Sequence, residues 1–159
     1  MRRSLALLGL LATLALLLAA CGGDDTLSDR EYFAALEAVS ADAEARDAAI
    51  PEPSPDDPES VPAFFELFQA LFVGVRADLA AIAAPTELAA AHDAFVEAID
   101  AVIDNLERVR GAGADETIVD VLAFFEANDA FGEFNRACAT LQQLAADRNI
   151  DFVFDCTDE

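Results

Sequence analysis

The segment from Leu88 to Val109 constrains the fold most, because its apolar positions recur at alternating steps of four and three residues. Such spacing places side chains on one face of an α-helix and is typical of a seam packed against neighbouring helices. The sequence therefore predicts a long amphipathic helix that ends at the GAGA run from Gly111. The seam positions are Leu88, His92, Phe95, Ile99, Val102, Leu106 and Val109.

Two further helices are predicted before this seam. Ser28 and Glu31 have capping-box spacing, so a first helix is expected to begin there and to fade near Ala49. Its inward positions are Tyr32, Leu36, Val39 and Ala43. A second helix is expected from Ser60 to Pro85, which cannot continue it. Its wide apolar face comprises Phe64, Phe65, Phe68, Leu71, Phe72, Val75, Leu79 and Ile82.

The segment PEPSPDDPES at 51–60 separates these two helices and consists mostly of prolines and acidic residues. Such a composition predicts a stiff, solvated linker without regular structure. Its length leaves open whether the first helix lies antiparallel to the second or crosses the bundle.

A fourth helical region is predicted from about Asp115 to Asp147. Its apolar stripe changes phase near Asn128 and Asp129, which indicates a kink or two separate helices. The closing segment, NIDFVFDC, alternates apolar and polar residues and is expected to lie extended over the helices, with Ile150, Phe152 and Phe154 inward. The sequence thus predicts an all-α fold, an up-down bundle of about four helices with an extended C-terminal tail, in a domain at 28–159.

The charge of the chain limits its partners. There are 31 acidic residues against 9 basic ones, all arginine, and the formal net charge is −22. A chain this acidic repels phosphate backbones, so no nucleic-acid partner is expected. Acidity favours solubility, cation attraction and basic partners without specifying any of them.

The N-terminus has the pattern of an export signal. Arg2 and Arg3 precede an apolar run of fourteen residues, Leu5–Leu18, which is too short to span a bilayer. The run ends in Leu-Ala-Ala-Cys at 18–21, followed by Gly-Gly-Asp-Asp. This order resembles the lipobox of bacterial lipoproteins; the alternative is an ordinary signal peptide with an incidental cysteine.

The lipoprotein resemblance implies a cleaved signal peptide at 1–20, a thioether-linked lipid on Cys21 and a flexible tether at 21–27. It also implies that the protein is attached to the cell membrane and faces the extracytoplasmic side. Two or more acyl chains are enough for stable anchoring. The run AAPTELAAAHDAFVEAI at 83–99 loosely resembles small helical lipoproteins of high-GC bacteria. That second resemblance implies no activity.

With Cys21 assigned to the lipid, Cys138 and Cys156 remain. Outside the cytoplasm such a pair is most simply a disulfide, which would stabilise the fold by roughly 3 kcal/mol. A metal or redox pair is the alternative, but the spacing is not C-x-x-C and no histidine is adjacent.

The sequence offers no clear catalytic residues and no cofactor or metal site. There is no lysine, and His92 is the only histidine. Because His92 lies on the packing seam, we interpret it as a buried structural residue rather than as a ligand or base. No phosphate-binding loop, dinucleotide fingerprint or nucleophile elbow is present.

Two other residue groups allow binding as an alternative to a structural role. An acidic strip on the third helix could attract a divalent cation but is better interpreted as a solvated face; it comprises Asp93, Glu97, Asp100, Asp104 and Glu107. Eight phenylalanines could line a cavity but are better interpreted as core; they are Phe64, Phe65, Phe68, Phe72, Phe124, Phe125, Phe131 and Phe134.

These observations predict a lipid-anchored protein of the cell envelope that acts as a non-catalytic interaction or structural module, with an envelope protein as partner. The alternative is a ligand-binding module for a divalent cation or for a small apolar molecule within the bundle. A cavity in the bundle would favour the apolar ligand, and a closed core would exclude it.

Overall fold

A computed structural model describes the chain over residues 26–54, 57, 60–111 and 129–152. Within these ranges it contains four helices and no strand. The helices are α1 (Asp29–Asp47), α2 (Ser60–Ala80), α3 (Ala89–Gly111) and α4 (Ala130–Asp147). The signal segment, Cys21, the part of the predicted fourth helix before Asp129, Phe124, Phe125, Phe154 and Cys156 lie outside the described residues.

Side-chain contacts show that α2 and α3 are antiparallel. Arg76 on α2 pairs with Asp100 on α3 at 3.0 Å. Two turns earlier on α2, Gln69 donates to Glu107, which lies two turns later on α3, at 3.1 Å. An earlier residue of α2 thus pairs with a later residue of α3, so the two helices run in opposite directions. The chain therefore reverses between Ala80 and Ala89, as an up-down bundle requires.

The pairs α1–α2 and α3–α4 are antiparallel as well. The backbone N–H of Leu27, before α1, donates to the carbonyl of Ala83, after α2, at 3.2 Å, while the far end of α1 lies beside the middle of α2. On the other side, Arg148 after α4 lies 3.8 Å from Glu87 before α3, whereas Ala130 at the start of α4 packs with Val102 and Leu106 further along α3. The first helix therefore does not cross the bundle, and the predicted up-down arrangement is confirmed.

The core lies where all four helices meet. The seam predicted on α3 is confirmed, since its positions from Leu88 to Leu106 are buried and Val109 is half-buried. On α1 the capping box forms as predicted. Phe33, which the sequence analysis did not place inward, is buried beside Tyr32. The largest fully buried side chains are Tyr32, Phe33, Leu36, Leu79, Leu88, Phe95, Ile99, Val102, Leu106 and Cys138.

The end of α2 differs from the prediction. The helix ends at Ala80, before Pro85, so Ile82 lies in the connection and not on the helix. The N–H of Ile82 donates to the carbonyl of Leu79 at 2.9 Å. This bond reaches back three residues, whereas the bond of an α-helix reaches back four. Such bonds satisfy the last helical carbonyls and let the chain turn before proline restricts it.

The start of α4 lies where the apolar stripe of the predicted fourth helical region changes phase. Asp129 has a left-handed backbone, with φ 46°, and the helix begins at the next residue. Its carboxylate lies over Gly132, where a β-carbon would collide with it, and accepts a hydrogen bond from Arg136 at 3.0 Å. The phase change in the sequence therefore falls at the start of α4, and the choice between a kink and two separate helices remains a prediction.

The chain after α4 folds back over the start of α1. Arg148 donates to the carboxylate of Asp29 at 2.8 Å, and the Phe152 ring lies 5.0 Å from that of Phe33. Phe152 is buried and Ile150 is half-buried, as the predicted tail requires. No helix among the described residues is both long enough and apolar enough to cross a bilayer.

Candidate functional site

An open apolar groove of about 280 Å³ runs between the second half of α1 and the middle of α2. Phe95 of α3 and Phe134 of α4 form part of its lining, so all four helices contribute to it. The α2 side presents Phe68, Leu71, Phe72, Val75 and Leu79, and the α1 side presents Val39, Ser40, Ala43, Glu44 and Asp47.

The groove exists because the two halves of α1 differ in sequence. The first half supplies Tyr32, Phe33 and Leu36, which are buried. Beyond Leu36 no residue of α1 is buried, and the side chains that face α2 are short, such as Ala43. Small side chains opposite the large apolar face of α2 cannot fill the space between the helices.

The predicted phenylalanine cluster is divided by the structure. Phe68, Phe72 and Phe134 line the groove. One turn nearer the start of α2, Phe64 stacks on Phe68 with ring centroids 5.5 Å apart, and Phe72 meets Phe131 edge-on at 6.3 Å. These phenylalanines are half-buried rather than fully enclosed. The cluster is thus part core and part groove wall, so neither of the two sequence interpretations describes it completely.

The mouth of the groove is acidic. Glu44 and Asp47, one turn apart on α1, both line it and are exposed. Between them in sequence, Arg46 is engaged by Asp42 and by Asp78, the latter at 2.8 Å. The hydrogen bond to Asp78 contributes most to raising the pKa of Arg46. The guanidinium is therefore held by other carboxylates and does not neutralise the groove mouth.

His92 has the structural position that the sequence predicted. It is buried, and its Nδ1 lies 3.2 Å from the hydroxyl of Tyr32. The ring also hydrogen-bonds the backbone of Leu79. Burial lowers the pKa of His92, although the charge of Asp93 acts in the opposite direction. Burial likewise raises the pKa of Tyr32. A neutral His92 therefore links three helices.

The acidic strip on α3 does not converge on one point. Asp100 pairs with Arg76, and Glu107 accepts from Gln69. Asp93, Glu97 and Asp104 are exposed. Within the part of the chain that the structure describes, no group of three or more histidine, cysteine, aspartate or glutamate side chains could hold a metal ion. The strip has the geometry of a solvated face that also anchors α2.

Cys138 lies in the core, on the α4 face that packs against α1 and α3. Cys21 and Cys156 lie outside the described residues, so the lipid attachment and the disulfide both remain predictions. The structure brings Phe152, four residues before Cys156, into the same core cluster as Cys138.

The sequence places most groove residues on apolar helix faces, and it allows a phenylalanine-lined cavity only as the alternative to a core. The sequence predicts that Val39 and Ala43 face inward; both line the groove, and Val39 also packs against the core cluster. The available signal was the change along α1 from large apolar residues to alanine, serine and acids after Leu36. Comparisons with protein families, curated proteins and solved structures give no match to this chain.

Proposed function

We propose that this protein is a lipid-anchored, non-catalytic binding module of the cell envelope that holds a small apolar molecule in the groove between α1 and α2. One observation carries the proposal: an open space of about 280 Å³ lies against Phe68, Phe72, Phe95 and Phe134. Ligand sites in helical bundles are concave, apolar and framed by few polar groups, and this groove has those properties.

The anchoring part of the proposal rests on the N-terminal sequence. The lipobox-like Leu-Ala-Ala-Cys at 18–21 would place the lipid on Cys21, and the tether at 21–27 would hold the bundle close to the outer face of the membrane. A binding module there would meet apolar molecules that partition to the membrane surface.

Filling the groove tests the binding part. A neutral fluorescent probe, N-phenyl-1-naphthylamine, should bind at one saturable site, and its fluorescence should increase on binding. Ala43 faces the groove, so Ala43→Phe should occupy the space and weaken binding at least about tenfold. Ala41 is exposed on the same helix and does not line the groove, so Ala41→Phe is the matched control. Equal binding by both variants would refute the groove.

The anchor is tested separately in cells. Cys21→Ala should abolish incorporation of labelled palmitate and release the protein from the membrane fraction, whereas Gly22→Ala should change neither. Retention of the label in Cys21→Ala would show that the lipobox interpretation is wrong.

The second candidate function is contact with an envelope protein. Two large apolar side chains of α2 are exposed, Leu67 at 46% and Val73 at 48%, and a protein partner at either position would bury that apolar area. A photo-crosslinker at Leu67 in the native envelope should then give one discrete adduct, and the same crosslinker at exposed Asp104 should not. An adduct from both positions would indicate unspecific proximity.

A further inference from the structure

We infer that the ligand of this groove is a cationic amphiphile, with its apolar tail among the phenylalanines and its positive head at the carboxylates of Glu44 and Asp47. This inference rests on the proposed function and adds the charge of the ligand to it.

The groove has an apolar interior and a polar edge along a single line. Its interior is formed by Phe72, Val75 and Leu79 of α2 together with Phe95 and Phe134. Its edge is formed by consecutive turns of α1, where Ser40, Glu44 and Asp47 follow the apolar positions Val39 and Ala43. A ligand that buries its tail therefore leaves its head beside two carboxylates.

No positive side chain in the described part of the chain balances those carboxylates. Neither Glu44 nor Asp47 forms an ion pair there, and Arg46 is already shared between Asp42 and Asp78. The local set is thus four carboxylates with one guanidinium. The net charge of −22 adds a field of the same sign. An anionic head at this edge would be repelled, and a neutral one would gain nothing from it.

The expected preference is modest because the two carboxylates are exposed. Exposed ion pairs are weak, so two of them should favour a cationic head about threefold to tenfold over a neutral one. The preference should shrink as salt is added, since exposed charges are screened.

Three probes that share a dodecyl chain and differ in head charge test this inference. Dodecyltrimethylammonium, 1-dodecanol and dodecanoate are each used below their aggregation limits to displace N-phenyl-1-naphthylamine from the full mature protein, with circular dichroism verifying that it stays folded. The expected order of affinity is the ammonium compound, then the alcohol, then the carboxylate.

The matched variants separate the groove edge from the general field. Glu44→Gln with Asp47→Asn should abolish the preference for the ammonium head over 1-dodecanol. Glu97→Gln with Asp104→Asn removes the same charge from exposed positions of α3 and should preserve the preference.

Each outcome has a distinct meaning. If 1-dodecanol binds but head charge does not matter, the inference is wrong and the proposed function stands. If both double variants reduce the preference equally, the attraction belongs to the whole acidic surface and the inference is also wrong. If no probe binds, or Ala43→Phe does not weaken binding, the proposed function and this inference fail together.

Discussion

The hydroxyl of Tyr32 on α1 lies 3.2 Å from Nδ1 of His92 on α3, with both side chains in the core. The two rings meet edge-on, and the imidazole also bonds the backbone of Leu79 at the end of α2. A neutral imidazole can accept from the hydroxyl at Nδ1 and donate from Nε2 to the carbonyl of Leu79, so each polar atom of this link has a partner.

Acidification should weaken the fold through His92. Burial lowers its pKa below the ordinary 6.5, so the unfolded chain binds more protons than the folded one in the interval between the two values. The contribution of His92 is therefore complete above pH 6.5 and is lost as pH falls through the folded-state pKa. Urea denaturation at a series of pH values from 7 downward should show this loss beginning near pH 6.5.

The control for this pH effect is His92→Gln, which keeps a polar side chain but cannot titrate. Its unfolding free energy should be lower than that of the parent at neutral pH and nearly constant over the same interval. A pH dependence that persists unchanged in His92→Gln would contradict the assignment to His92.

Removing the Tyr32 hydroxyl should destabilise the bundle without altering its shape. Tyr32→Phe keeps the buried ring but leaves Nδ1 of His92 without its donor, which should cost about 1–3 kcal/mol. The midpoint of urea denaturation measures this loss. The double variant Tyr32→Phe with His92→Gln should be less destabilised than the sum of the two single changes, and full additivity would show that the two residues are not coupled.

The far end of the α3 seam should be as sensitive as its start. Leu106 is fully buried between Val102 and the beginning of α4, so Leu106→Ala should lower the unfolding free energy by about 2–5 kcal/mol. Val109 is the next seam position and is half-buried, so Val109→Ala should cost clearly less. Thermal unfolding followed by circular dichroism compares them, and equal losses would mean that Leu106 is not in a packed core.

The number of reactive thiols tests both the lipid anchor at Cys21 and the disulfide between Cys138 and Cys156. If Cys21 carries the lipid and Cys138 is joined to Cys156, a thiol reagent should label nothing in the denatured mature protein before reduction and two thiols after it. Cys156→Ala should lower stability by roughly 3 kcal/mol. A thiol that reacts before reduction would contradict the disulfide, and a third thiol after reduction would contradict the lipidation of Cys21.

The residue pattern within each segment was sufficient to predict most helices and helix boundaries of this fold. The capping box at Ser28 and Glu31, the proline linker and the seam from Leu88 to Leu106 each placed a helix or its boundary correctly. It failed where an interaction between elements decided the outcome. At Gln69, a polar residue on the apolar helix α2, burial depends on the register that brings Glu107 and Arg110 beside it.

The spacing of neighbouring residues was enough to predict the four described helices, their apolar faces and their ends to within a few residues. The groove could not be predicted in this way, because it depends on the second half of α1 lying opposite Phe72 and Val75 with space between them, and on Glu44 and Asp47 lying at its edge. Whether two faces fill the volume between them depends on the sizes, register and angle of both, and no single segment contains that information.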